Sequence, residues 1–287
     1  MKPFFRLIIL FFILIILPIS VWAQRKPINK GRNFKYRISS SFKVREVLSV
    51  YGSIGLANYY GDLCDNFECI QIRPTAGAGV IYRLSNYLAS KSELNYVRLY
   101  SEDVWPDRNL SFRSGNVELY TSLMYDYFPY TKALRKRKLL SPYVFAGVGL
   151  TYYNPKAELN GKWYALRPLK TEGVNYWSIA PIIPFGLGVK IKNTRNWDFL
   201  VEASYRLTFT DYLDDVSSYK FKKQSEFDNP EAASLSNRTQ QGDGFLGYRG
   251  NPKRNDGYAM LTFKTRYTFT SKHVYKNKYN EQHRKVY

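Results

Sequence analysis

Histidine is almost missing from this sequence of 287 residues. Its two histidines, His273 and His283, both lie in the last fifteen residues. A Ser-His-Asp triad would need a histidine from this terminal tail, and no spacing of Cys and His resembles a zinc site. The scarcity argues against an enzyme that uses imidazole chemistry, and we expect no catalytic residues, no cofactor and no bound metal.

Apolar runs of membrane-spanning length are missing as well. The run from Leu7 to Leu17 has eleven residues, whereas a transmembrane helix needs about 20. Lys2 and Arg6 precede this run, and the small residue Ala23 occupies the position typical of a cleavage site. We therefore predict a secretory signal peptide over residues 1–23, with an uncleaved anchor helix as the alternative.

Cysteine is equally scarce, and Cys64 and Cys69 stand close together in the stretch CDNFEC. Because an exported protein folds in an oxidising compartment, we predict a disulfide that closes this small loop. Two free thiols are the alternative.

The sequence is rich in segments in which apolar and polar side chains alternate. The alternation runs through the segments 117–127, 197–209 and 258–269, and a period of two predicts strands with one apolar and one charged face. Five further apolar segments have the length of strands. They are 47–60, 74–84, 86–100, 141–153 and 180–191, the last of which carries Pro181 and Pro184, residues that fit a central strand poorly.

The connections between these eight predicted strands alternate in length. Strands 2 and 3 are joined by SN and strands 6 and 7 by KNTRN, while the connection after strand 7 runs from about 210 to 256. Short turns on one side and long loops on the other are typical of outer-membrane barrels. We therefore predict an all-β fold, an eight-stranded antiparallel transmembrane barrel over 46–270 with long extracellular loops. Its short turns, a basic segment 24–45 and a basic tail 271–287 are expected in the periplasm.

The predicted polar faces distinguish this barrel from a soluble one such as a lipocalin, which would show the same alternation with the faces exchanged. Opposite charges that pair across a narrow lumen favour the membrane barrel. These charges are Glu93, Glu118, Asp126, Glu202, Arg206, Lys264 and Arg266, together with Lys91 and Lys190. Aromatic residues at strand ends, among them Tyr59, Tyr127, Tyr153 and Trp197, are expected to form interfacial girdles.

Several motifs across residues 47–270 resemble one known family. They include SIGLANYYGDL, RNLSFRS (108–114), LKTEG (169–173), FTDYLDDVSSY (209–219) and YRGNPKRNDGYAMLTFKTRYTF (248–269). Together they resemble the PorG-like outer-membrane β-barrels of the Bacteroidetes type IX secretion system. The resemblance implies a non-enzymatic eight-stranded barrel that associates with a periplasmic ring of PorK-like and PorN-like proteins, and it assigns no chemical role to the motif residues.

The carboxylates Asp211, Asp214 and Asp215 at the end of the seventh strand admit three interpretations. They could bind Ca²⁺, although the alternating carboxylates and the glycine of an EF-hand loop are absent. They could form an acid/base pair. We favour solvated acids that cap the strand and contact nearby lysines of the same loop. These lysines are Lys220, Lys222 and Lys223.

Negative charge is scarce on the predicted periplasmic side. The chain has a formal net charge of +20, and residues 24–45 contain no acidic residue. Nucleic acid, the usual partner of such a surface, does not meet an exported barrel. The basic surface could instead bind anionic lipid or an acidic periplasmic partner. The alternative is that the basic tails are solvated and bind nothing. We predict a partner-docking rim made of Lys132, Arg135, Lys136, Arg137, Lys138, Lys272, Lys276 and Lys278.

Two functions from different classes follow. In the first, the barrel anchors or docks the PorK/PorN-like periplasmic ring of the type IX protein secretion machinery through its basic rim, with outer-membrane lipid around it. In the second, a small outer-membrane barrel handles a ligand or solute through its long loops and has no secretion role. An outer-membrane lipid enzyme is less favoured because the usual Ser/His machinery is missing.

Overall fold

The computed structural model describes residues 48–64, 69–103, 107–131, 137–239, 241–244 and 247–269. Within them the strands are β1 (Leu48–Tyr60), β2 (Arg73–Arg83), β3 (Leu88–Glu102), β4 (Ser111–Asp126), β5 (Leu140–Tyr152), β6 (Lys156–Leu159), β7 (Lys162–Ala165), β8 (Ile179–Lys192), β9 (Trp197–Thr208) and β10 (Gly257–Thr268). The α-helices are α1 (Leu166–Leu169) and α2 (Pro230–Ser236), and 3-10 turns cover Gln224–Glu226 and Gly242–Gly244. Among the described residues, no helix combines the length and the apolar character needed to cross a bilayer.

Eight of these strands close into one antiparallel barrel. Around it the strands follow the order β1, β2, β3, β4, β5, β8, β9 and β10. The last strand pairs with the first, with Leu261 opposite Leu56, so that no edge is left open. The predicted antiparallel barrel of eight strands is confirmed.

Strict alternation decides what lies outside the barrel and what lies inside. On β10, the outward-facing Leu261 and Phe263 are 53% and 43% exposed, whereas their neighbour Lys264 is 1% exposed. Outward apolar side chains recur on every barrel strand, from Ile54 on β1 to Leu187 on β8. An apolar outside around a closed, hydrogen-bonded sheet is the arrangement that a bilayer requires, because lipid offers no partner to backbone groups.

Two features of the sheet depart from the sequence prediction. β4 begins at Ser111 rather than at 117, and here the polarity of the faces is reversed, since Phe112 is buried while Arg113 is exposed. The part of a strand that extends beyond the lipid does not need an apolar outer face. For this reason the first residues of β4 do not follow the alternation from which the strand was predicted. The hairpin β6–β7 was also not predicted; it continues the sheet from β4 through the pair Arg113 and Lys156.

Pro184 lies inside the central strand β8 although proline removes a donor from the ladder. The pairing of β5 with β8 is interrupted where Pro184 stands, between the pairs Ala146 with Phe185 and Gly149 with Ile182. Pairing with β9 continues past the same residue. The barrel therefore accommodates the missing N–H by a short gap on one side of the strand.

The barrel has two unlike ends, named here by their connections. The loop end carries the long connections 61–72, 103–110, 153–178 and 209–256, and the turn end carries 84–87, 127–139 and 193–196. The expected aromatic girdles are only partly correct. Tyr127 and Trp197 are exposed at the turn end, but Tyr59 and Tyr153 are each 1% exposed and point inward at the loop end.

Candidate functional site

Four oppositely charged side chains form a cluster in the middle of the lumen. Lys91 Nζ lies 2.9 Å from Glu202 Oε2, and Lys264 Nζ lies 2.6 Å from Glu93 and 2.7 Å from Glu202. All four side chains are at most 1% exposed. Buried charges are tolerated only when they are paired and hydrogen-bonded, and here each charge has an opposite partner.

Tyrosines from other strands add hydrogen bonds to these carboxylates. Tyr51 and Tyr120 donate to Glu93 at 2.8 and 2.6 Å, and Tyr143 donates to Glu202 at 2.7 Å. The sequence analysis missed these tyrosines. They occupy positions of β1, β4 and β5 at which the alternation places the side chain inside the barrel, and this is the signal that could have identified them.

Further ion pairs lie above and below this cluster. Towards the loop end, Arg206 bonds Glu118 at 3.0 Å, and Tyr258 also donates to Glu118. Towards the turn end, Asp126 pairs with Arg83 and Lys190, and Asp198 pairs with Arg266. All seven predicted lumen charges thus lie inside the barrel in ion pairs, with Arg83 as a partner that sequence reasoning missed. Since eight strands enclose only enough room for side chains, these layers fill the lumen.

The loop end is closed by the loops themselves, and Arg249 is the centre of this plug. Its Nε donates to Glu172 at 2.7 Å, its Nη1 to the carbonyl of Ser236 and its Nη2 to the carbonyl of Asp215, both at 2.9 Å. Glu172 also accepts from the backbone N–H groups of Ser217 and Ser218. One guanidinium and one carboxylate thereby join the loops 153–178 and 209–256.

Arg108 joins the two remaining loops to the same centre. It forms an ion pair with Asp103, and it donates to the carbonyls of Arg249 at 2.6 Å and Asp62 at 2.8 Å. Arg108, Glu172, Asp215 and Arg249 come from four different motifs that carry the family resemblance. The motifs therefore meet in the plug, where they have a structural role.

Asp214 and Asp256 share one tyrosine hydroxyl. Tyr59 Oη lies 2.7 Å from Asp214 Oδ2 and 2.5 Å from Asp256 Oδ1. A hydroxyl donates only one proton, so one of the two carboxyl groups must itself be protonated to make both hydrogen bonds. In agreement, burial and the facing carboxylate raise the pKa of Asp214 well above its ordinary value, and burial raises that of Asp256.

The interpretation of the three loop acids as solvated and paired with nearby lysines is wrong. Asp211, Asp214 and Asp215 are 7%, 1% and 0% exposed. The segment folds down into the barrel mouth, where Tyr176 donates to Asp215 at 2.6 Å and Thr171 also bonds this carboxylate. These partners are distant in sequence, so the linear pattern gave no sign of them.

Burial sets the protonation of this acid cluster. Desolvation raises the pKa of Asp215 to about 7, against the opposing charge of Arg249. Desolvation raises the pKa of Asp211 to about 7 as well, and the nearby charges of Asp62 and Glu172 add to the shift. In the described part of the chain, no group of three or more His, Cys, Asp or Glu side chains is arranged to hold a metal ion.

Cys64 and Cys69 are joined by a disulfide, and both are buried at the loop end. Cys64 also packs in the apolar cluster that includes Tyr59, Leu63 and Phe112. The disulfide therefore holds the end of the β1–β2 loop against the interior of the plug.

The predicted basic rim is described only in part. Arg137 is half-buried and Lys138 is exposed at the turn end. The other predicted members lie outside the described residues, as do the predicted segments 1–23, 24–45 and 271–287. These members are Lys132, Arg135, Lys136, Lys272, Lys276 and Lys278.

The closed sheet, its apolar outside and the paired charges within it define the class of small outer-membrane β-barrels. More particularly, residues 37–278 match the family DUF6089, a domain of unknown function, and the chain belongs to this family. No curated protein matches the sequence.

Several solved structures are similar at low sequence identity. Neisserial surface protein A is 14% identical with a TM-score of 0.40, over 77% of this chain and 97% of its own. Ail, the attachment invasion locus protein of Yersinia pestis, in complex with a heparin analogue, is 11% identical with a TM-score of 0.37, over 78% and 98%. The outer membrane enzyme PagL is 13% identical with a TM-score of 0.31, over 76% and 98%. The class assignment above rests on the barrel's own geometry.

Proposed function

We propose that this chain is a non-enzymatic outer-membrane scaffold that docks the periplasmic ring of a type IX protein secretion system through its turn end. The observation that carries the proposal is the filled interior. The ion pairs between Lys91, Glu93, Glu202 and Lys264 occupy the middle of the lumen, and the Arg249 plug closes one mouth. A barrel whose interior is filled in this way offers surfaces that bind other proteins rather than a channel for a solute.

The charge distribution favours the turn end as the working surface. At the loop end, Glu172 and Arg249 form an ion pair inside the plug. At the turn end, the stretch Arg135 to Lys138 places four cations in succession, and the basic segments 24–45 and 271–287 are expected on the same side. Uncompensated like charge repels itself unless a partner of opposite sign relieves it, so an acidic ring surface fits this end.

The alternative, a barrel that handles a solute or ligand through its long loops, is less well supported. Loop side chains that would contact a ligand, such as Arg108, Glu172 and Asp215, are already engaged with other loop residues. The resemblance of their motifs to PorG-like barrels adds to the preference for a secretion role.

Charge reversal of the turn tests the proposal. Arg135, Lys136, Arg137 and Lys138 are changed together to Glu in the full chain, and ring proteins are co-purified from detergent-solubilised outer membrane. We expect less co-purified ring and less secreted cargo, with the loss largest at low ionic strength and smaller at high ionic strength, where screening already weakens the wild-type contact. Heat-modifiable gel migration should remain, since we expect these residues outside the apolar band.

A matched variant controls for the change in net charge. Lys220, Lys222 and Lys223 lie on the loop end, and their change to Glu should leave the amount of co-purified ring unaltered. Normal ring recovery and normal cargo release by the inserted turn variant would contradict the docking role.

A further inference from the structure

A small recess of about 150 Å³ lies at the turn end of the lumen. Two carboxylates, Asp126 and Asp198, stand in its lining against five cationic side chains. The cations are Arg137, Lys138, Lys190, Lys192 and Arg266. The recess therefore carries a surplus of positive charge inside a partly closed space.

Three donors in the lining of this recess are buried and have no hydrogen-bond acceptor among the residues that the structure describes. They are Arg137 Nη1, Arg266 Nε and Thr131 Oγ1. The Arg266 side chain is 4% exposed and the Arg137 side chain 10%. Arg137 Nη1 lies 3.6 Å from Asp198 Oδ1, an ionic contact without a hydrogen bond. A buried charged donor that lacks an acceptor is costly, so the arrangement calls for an acceptor from outside the described chain.

Arg137 is held in place by its other contacts. Its Nε donates to the Thr131 carbonyl at 2.8 Å and its Nη2 to Tyr130 Oη at 3.2 Å. The guanidinium groups of Arg83 and Arg137 also lie over the Tyr130 ring, at 4.7 and 5.2 Å from its centre. A donor fixed in this way loses little freedom when it binds an acceptor, which favours specific recognition over diffuse attraction.

We propose that this recess binds one carboxylate group presented by a partner protein, an acidic side chain or a chain terminus. The two carboxylate oxygens accept from Arg137 Nη1 and Arg266 Nε, because guanidinium N–H groups match a carboxylate in charge and geometry. Lys138 and Lys192 add positive charge around the bound group. The identity of the partner as ring protein rests on the proposed function, whereas the carboxylate site itself does not.

Acetate is the probe for the site. The full-length mature barrel, refolded in detergent micelles with ¹⁵N-labelled arginine, is titrated with sodium acetate and, separately, with sodium chloride at equal ionic strength. The Nε–H resonance of Arg266 is followed by NMR, assigned with Arg266→Lys. We expect a saturable shift with acetate but not with chloride, while the Nε–H resonance of Arg206, already bonded to Glu118, stays in place.

Two variants test the geometry. Arg137→Gln should weaken acetate binding about tenfold, because a charge-assisted hydrogen bond is lost. Arg254→Gln, an exposed arginine of the loop end, should leave it unchanged. No saturable shift, or an equal shift with chloride, would mean that water alone fills the recess and would overturn the proposal.

Ring co-purification separates the two proposals. If Arg137→Gln weakens acetate binding and also reduces ring recovery, both proposals stand. If the wild-type barrel binds acetate but Arg137→Gln leaves ring recovery unchanged, the carboxylate site stands and its use in ring docking is refuted. Reduced ring recovery with no acetate response in the wild-type barrel refutes the site and leaves docking through the wider basic rim.

Discussion

The middle of the lumen and the loop-end plug are both buried and both rich in charge, yet they are balanced in different ways. In the lumen, Glu93 and Glu202 face Lys91 and Lys264 in contacts of 2.6 to 2.9 Å. The plug holds Asp211, Asp214, Asp215 and Asp256, and Arg249 contacts Asp215 at 3.9 Å. Charge pairs neutralise the first region, and protons neutralise part of the second.

The difference shows how the same residue type serves two purposes. A carboxylate such as Glu202 in the lumen is fixed in its charged form by two lysines, and it holds strands that are far apart in sequence. A carboxylate such as Asp215 in the plug titrates near neutral pH. The barrel should therefore be rigid across a wide pH range, while the plug should respond to pH.

The largest effect is expected from breaking the lumen pairs. Glu202→Leu leaves Lys91 and Lys264 without one of their carboxylates in a buried site. We expect the free energy of unfolding to fall by about 3–5 kcal/mol, the usual result of removing one partner of a buried pair. Urea unfolding of the micelle-refolded barrel, followed by Trp fluorescence, measures it.

Glu226→Leu is the matched control on the exposed part of the 209–256 loop, where the side chain is 50% exposed. It should change the same free energy by less than about 0.5 kcal/mol. Equal effects of the two changes would mean that the lumen cluster does not support the barrel.

A somewhat smaller effect is expected on the outside of the barrel at the same height. Leu261→Arg places a charge in the apolar band and should cost about 2–4 kcal/mol or block assembly. Tyr248→Arg, at a side chain that is 77% exposed at the loop end, should be tolerated. The measurement is the fraction of heat-modifiable protein after refolding into lipid vesicles; similar fractions for the two variants would place the lipid boundary elsewhere.

The smallest effect is expected in the plug and depends on pH. Because the pKa values of Asp211 and Asp215 are raised to about 7, the folded plug binds more protons than the open loops between about pH 4 and 7. Its stability is therefore greatest at the acidic end of this window and is lost as the pH rises through 7. Hydrogen exchange of the 209–256 peptides, corrected for intrinsic rates, should show more frequent opening at pH 8 than at pH 5.

Asp211→Asn sharpens this comparison. Removing one titrating carboxyl should reduce the difference in opening between pH 5 and pH 8, whereas Asp228→Asn at an exposed position should not. Peptides from β9 and β10 should show no such pH dependence in either variant. A plug whose opening is the same at both pH values would show that its acids are not protonated.

The barrel was open to prediction because its signal is local. Lys264 alternates with Leu261 and Phe263 whatever the distant partners are, so the faces and the strand count follow from the sequence. The plug was not open to prediction because its contacts are distant. Tyr59 reaches Asp214 across 155 positions, and the burial of these acids depends on loops that show no periodicity.

The recess at the turn end lies between these cases. The sequence shows that Arg137 belongs to a basic run. That its Nη1 has no hydrogen-bond acceptor among the described residues, and that it lines the same recess as Arg266, depends on the closure of the barrel. A run of cations in a sequence predicts a positively charged surface, whereas the prediction of a binding site requires the positions of individual hydrogen-bond donors.

Site-specific cross-linking tests the central claim, docking through the turn end, most directly. A photo-reactive residue is placed at Lys138 on the turn end or at Lys223 on the loop end, each in the intact chain in its own membrane. The account predicts cross-links to periplasmic ring proteins from position 138 and none to them from position 223. Ring cross-links from position 223 alone, or from neither position, would contradict it.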